Sequence, residues 1–124
     1  PILGGNGFNS PKLIENAGKA AEGVLVGSAW NKVSTEKGNQ DYLALMAAKN
    51  HAPDQFCTQA YVGVEAIAEA IRLSGKATRE GVKAGFLKLK GLSTPLGKFS
   101  FQPNRDGDHA PAVQVVKDGK FQIM

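Results

Sequence analysis

Cys57, His51 and His109 are the residues of this sequence with the types suited to nucleophilic chemistry. A thiol in the first turn of a helix ionises more readily, and an imidazole beside it can take its proton. Cys57 starts a helical stretch, and His51 precedes a proline-containing turn. Acyl transfer also needs a placed base and an oxyanion site, and no spacing in the sequence supplies them. A lone cysteine by default packs as a small hydrophobe. With one cysteine there is no internal disulfide and no Cys-based zinc site.

Asn104, Asp106 and Asp108 have the spacing of the first ligands in a calcium loop. The glycine such a loop requires falls on His109, and the bidentate glutamate falls on Val115. A surface turn is the better reading. Gly4-Gly5-Asn6-Gly7 invites comparison with phosphate-binding loops. A dinucleotide fingerprint needs a third small residue where Ser10 stands, and the Gly-Lys-Ser/Thr ending of a Walker loop is missing. A glycine-rich loop between a strand and a helix still lies where open α/β sheets bind ligands. Glycine lets a backbone approach a ligand closely, though a tight turn serving only the chain path has the same composition.

The elements that must position these residues are legible. Ile2-Leu3 reads as the end of a buried strand. Ser10 and Pro11 start a helix that runs to Gly23, with Leu13, Ile14, Ala17, Ala20 and Ala21 as its apolar stripe. Val24-Leu25-Val26 is a short buried strand. Residues 31–40 read as a polar connection, Tyr42 to Ala48 as a helix. Phe56 to Leu73 is the clearest helix, with Ala60, Val64, Ile67, Ala68 and Ile71 predicted to face inward and Gly75 to end it. Thr78 caps a further helix carrying Val82, Phe86 and Leu89 on one face. Phe99 and Phe101, then Val113 and Val115, alternate as strands do. Asp118-Gly119 marks a hairpin. Trp30 at a strand exit and Phe56 at a helix start read as core or crevice lining. The order is that of an α/β domain.

The chain has 124 residues, 42% of them hydrophobic and 21% charged, which fits one folded unit with a modest core. Its net charge of +4 is spread along the chain. Nucleic-acid binding needs a concentrated basic face, so it is not expected. No stretch reaches the roughly 20 apolar residues of a membrane span. No signal peptide is seen, and the opening reads like a strand already under way, so the sequence is expected to begin inside a longer protein.

The order of pieces resembles the branched-chain amino acid (leucine/isoleucine/valine) binding family, the type I periplasmic solute-binding proteins of ABC transporters. The likeness is carried by Ile2 to Phe8 with Ala20 to Val26, by the helix Ala60 to Ile71, by Thr94 to Phe101, and by the turn Asn104 to His109 followed by Val113 to Val116. The resemblance implies the C-terminal portion of such a protein: a partial fold with an open, mostly parallel sheet and flanking helices, drawn from both lobes. Residues up to about 28 and from about 102 to 124 would belong to the C-terminal lobe, and about 35 to 100 to the N-terminal lobe. It implies a periplasmic or lipid-anchored extracytoplasmic protein that closes on a small ligand, works with an ABC permease, uses no cofactor and catalyses nothing. Uncovered core faces would pair with the missing N-terminal part or with a second copy.

By the same resemblance, Gly5, Asn6, Gly7 and Phe8 form a ligand loop, and Phe56 covers the ligand's side chain. Amino-acid-binding members carry an acidic residue where this sequence has Asn6. A neutral amide loses most of the charge-assisted pairing with an ammonium. A ligand without an α-amino group is therefore expected, such as an aromatic or aliphatic carboxylate or an amide. Two other readings stay open: a ligand-sensing receptor domain of the same fold, and, as the weaker rival, a small α/β hydrolase using Cys57 or the aspartates.

Overall fold

A computed structural model describes residues 1–124. Strand β1 (Leu3–Gly4) leads through a 3-10 turn at Asn6–Phe8 into helix α1 (Pro11–Ala17). Pro11 takes the first helical position, and the Ser10 hydroxyl accepts from the Lys12 N–H at 3.3 Å, as the sequence predicts. The helix ends earlier than expected. Gly18 has φ 52°, a value closed to a continuing helix, and residues Gly18–Ala21 form a separate 3-10 turn.

Strand β2 (Leu25–Ser28) pairs in parallel with β1. A hairpin of β6 (Ala112–Lys117) and β7 (Lys120–Ile123) then joins β2 antiparallel, giving the order β1-β2-β6-β7. Asp118 and Gly119 both have positive φ, at 54° and 69°, as the tight hairpin turn demands. The expected parallel pairing is thus confined to one strand pair within this chain.

Between β2 and β6 the chain builds a second body. Helix α2 (Lys37–Ala48) begins inside the stretch read as a connection. Helix α3 (Gln55–Ser74) is capped by Asp54, whose carboxylate accepts from Cys57 N, and is ended by Gly75 in the left-handed region. Helix α4 (Arg79–Lys88) is capped by Thr78 as predicted. Strand β3 (Leu92–Thr94), absent from the sequence reading, pairs with β4 (Gly97–Phe101), and β4 with the two-residue β5 (Gly107–Asp108).

Two apolar cores result. Ala21, Val24, Val26 and Val116 form one, under α1 and the four-stranded sheet. Trp30, Tyr42, Val62, Ala66, Leu89, Leu96 and Phe99 form the other.

The inward face of α3 differs from the prediction. The helix buries Gln55, Thr58, Val62, Ala66 and Ala70. Its aliphatic stripe lies on the opposite side, with Phe56 51%, Val64 68% and Ile67 45% exposed. The buried face is made of small residues because α4 sits close: a Cβ on Gly85 would overlap the Ala70 carbonyl. Large aliphatics have no room there. In β6 a polar residue likewise lies inside. Gln114 and Val116 face the core, whereas Val113 points outward. Gln114 is buried because its amide has partners there.

Candidate binding site at the junction of the two cores

The two bodies meet at a set of buried, uncharged polar side chains. Asn9, Ser28, Gln55 and Gln114 come from four separate segments, and all are buried. Asn9 Nδ2 donates to Ser28 Oγ at 2.6 Å and to Gln55 Oε1 at 2.7 Å. Gln114 Nε2 donates to Ser28 Oγ at 3.0 Å and to the Trp30 carbonyl at 3.1 Å. The Ser28 hydroxyl lies 2.6 Å from that carbonyl and 2.9 Å from Gln55 Oε1. Buried polar groups cost little when each finds a partner, and a connected set fixes one geometry. None of these four was singled out in the sequence. Isolated amides and hydroxyls beside apolar strands carry no distinguishing spacing.

The glycine-rich loop belongs to this junction. Gln55 Nε2 donates to the Asn6 carbonyl at 3.0 Å, and the Ala29 N–H donates to Asn6 Oδ1 at 2.9 Å. The Asn6 side-chain amide is therefore oriented, with its oxygen engaged and its Nδ2 left as a donor. Phe8 packs over Gly4, where any Cβ would overlap the ring. A Cβ on Gly5 or Gly7 would meet nothing within 4 Å, so the space beside the loop is open. Phe56 follows Gln55 directly and is half exposed. The structure thus joins the Asn6 segment and the Phe56 segment through Gln55.

Cys57 also lies at this helix start, and here the sequence reading needs correction. His51 Nε2 is 3.6 Å from Cys57 Sγ, so an imidazole does stand beside the thiol. The loop between α2 and α3 folds back through Pro53 and brings them together. Tyr42 OH donates to the same sulfur at 3.6 Å and accepts from Thr58 Oγ1 at 3.2 Å. Burial pushes the Tyr42 hydroxyl up to about 12, with the neighbouring Cys57 and Asp54 adding to the rise. Trp30 is buried, and its indole N–H donates to Asn39 Oδ1 at 2.8 Å. Asn104–Asp106 is an exposed turn in which Asn104 Nδ2 donates to Asp106 Oδ2 at 2.7 Å, and the chain then enters β5 and the half-buried His109. His109 stacks its ring at 6.2 Å from that of Phe99, away from Cys57's neighbourhood.

Residues 2–120 match the family model of the periplasmic binding proteins. The chain belongs to that family. A match over this span assigns it among binding proteins, and the two-core arrangement is the local form that the family's fold takes here. No protein of curated function matches the sequence. Among solved structures, a leucine binding protein from Thermotoga maritima superposes with TM-score 0.88 at 23% identity, over 99% of this chain and 36% of that protein. A branched-chain amino acid transporter substrate binding protein from Streptococcus pneumoniae, in complex with isoleucine, gives 0.83 at 24% identity, over 100% of this chain and 37% of that protein. A solute binding protein of an ABC transporter from R. palustris, in complex with benzoate, gives 0.76 at 18% identity, over 99% of this chain and 35% of that protein. Likenesses at these identities are likenesses of fold. The chain spans little more than a third of the length of each.

Proposed function

We propose that this chain is the C-terminal portion of an extracytoplasmic solute-binding protein, periplasmic or lipid-anchored, that delivers a small ligand to an ABC permease. About residues 1–28 and 102–124, which hold all four strands of the larger sheet together with β5 of the smaller one, are the C-terminal lobe's share. About residues 35–100 are the N-terminal lobe's share. The ligand sits between the lobes, against Gly5, Asn6, Gly7, Phe8 and Phe56, and hinge closure traps it. The protein binds and does not catalyse.

The observation that carries the ligand class is the orientation of Asn6. Its oxygen accepts from the Ala29 N–H, which fixes the amide and leaves its Nδ2 without a partner as an N–H donor. A donor suits a carboxylate or an amide carbonyl and repels an ammonium, which is itself donor-only. The ligand is therefore a small carboxylate or amide with an apolar body, which Phe56 covers. The outer stripe of α3 supports association with the remaining part of the longer protein, whose apolar elements would cover it.

Calorimetry on the full-length protein tests this. Benzoate, aliphatic carboxylates and simple amides are titrated beside leucine, isoleucine and valine. Saturable binding of the first group with weak response to the amino acids is the expected result. Tight leucine or valine binding would overturn the Asn6 argument and leave the family intact. Binding of none would overturn the ligand class.

A further inference from the structure

A cavity of about 750 Å³ opens beside the junction, bounded by α1, the β7 end of the sheet, and the segments around Trp30 and Gln55. Neither Asn6 nor Phe56 lines it. Its volume lies within the ~300–1,000 Å³ range of small-molecule sites. Ile14, Phe121 and Ile123 supply apolar wall, and Trp30 adds aromatic surface with its indole N–H turned away to Asn39.

Two buried amides in its lining share one sign of free hydrogen-bonding capacity. Asn9 and Gln114 both line the cavity and spend their amide N–H groups on the junction network. Their carbonyl oxygens, Asn9 Oδ1 and Gln114 Oε1, enter no hydrogen bond and are not among the solvent-shielded unpaired atoms. Two open acceptors therefore face a space deep enough to hold a ligand. Asp54 lines the cavity as well, with one carboxylate oxygen held by Cys57 N. Glu15 is paired with Lys12, and Lys32 and Lys120 lie at the exposed rim. An anion entering this space meets oxygen acceptors in its lining, whereas a cationic N–H donor finds the partners it needs.

We infer that this cavity is a second small-molecule site, separate from the interlobe cleft, for a compact primary ammonium carrying an apolar body. Its walls come from both cores, so an occupant touches the two bodies at once. The inference stands independently of the cleft's ligand.

Benzylammonium is the probe, titrated calorimetrically into the full-length protein at neutral pH beside benzoate and benzyl alcohol. The expected result, read in the Phe56→Ala variant so that the cleft does not contribute, is saturable binding of benzylammonium, at least tenfold tighter than benzoate. Ile123→Phe, which adds bulk at a partly exposed position on the cavity wall, weakens it tenfold or more and leaves the cleft ligand's affinity unchanged. Ile123→Ala, which adds space, retains it. Phe56→Ala, which strips the cleft, also retains it. Absent binding, equal binding of benzoate in Phe56→Ala, or binding that survives Ile123→Phe but falls with Phe56→Ala would overturn the assignment.

Discussion

The Gln55 side-chain amide donates to the Asn6 backbone carbonyl at 3.0 Å, and this bond crosses from the helical body to the loop of the sheet body. Gln55 Oε1 meanwhile gathers Asn9 Nδ2, Ser28 Oγ and the Ala29 N–H at 2.7, 2.9 and 3.1 Å. One side chain therefore links the turn at Asn6, the exit of β2 and the start of α3.

Replacing it with Leu keeps the volume and strands those partners. Each buried group left unpaired costs about 1–3 kcal/mol. Gln55→Leu is expected to destabilise the full-length protein by about 2–4 kcal/mol, read as a lowered denaturation midpoint. Phe56→Ala, one residue on, should change stability far less and weaken ligand binding instead. Equal stability losses for the two would refute the distinction.

Asn6→Asp preserves the acceptor that the Ala29 N–H uses and exchanges the free donor for an anionic oxygen. The fold should survive. A charge-assisted bond exceeds a neutral one by roughly 1 kcal/mol or more. Leucine and isoleucine affinity should rise about tenfold by calorimetry, and carboxylate affinity should fall. An unchanged ligand profile would place Asn6 outside the cleft.

Tyr42 gives a pH signature. Its hydroxyl is raised from 10 to about 12, mainly by burial, with Cys57 and Asp54 close by. The folded state thus keeps the proton to higher pH than the unfolded chain does. The contribution is complete below pH 10 and is lost as pH climbs through about 12. Tyr61, also raised, acts in the same direction. Melting temperature should fall across that window, and Tyr42→Phe should flatten the fall. A wild-type slope retained by Tyr42→Phe would assign the effect elsewhere.

Ile67 reports on what covers the outer stripe of α3. It is 45% exposed in this chain. Under cover in the full-length protein, Ile67→Ala should cost about 2–4 kcal/mol. A loss under about 0.5 kcal/mol, the size typical of surface changes, would show that the stripe faces water.

Much of the fold was legible because local chemistry decides it. Ser10, Thr78 and Gly75 mark helix ends by what their own atoms can do, and Asp118-Gly119 can adopt the φ values its hairpin needs. The face of α3 was not legible. That helix carries two apolar stripes, and the reading chose the bulkier one. Close approach of α4 reserves the inner side for Ala66 and Ala70, a constraint that only the packed pair reveals. The alternation of Val113 and Val115 marks a strand but not its inner face, which goes to Gln114 because Ser28 and the Trp30 carbonyl lie there. Of the site, Asn6 and Phe56 came from family likeness. Asn9 and Gln55 emerge only when distant segments fold together.

Asn9, Ser28, Gln55 and Gln114 share one further property: none of them ionises. The joint between the two bodies is built from amides and a hydroxyl, so no proton is gained or lost when its hydrogen bonds form or break. Acidity therefore has no direct hold on these bonds. A carboxylate or imidazole in this position would make the stiffness of the joint follow that acidity. With neutral groups, the hydrogen bonds of the joint carry no acid dependence of their own.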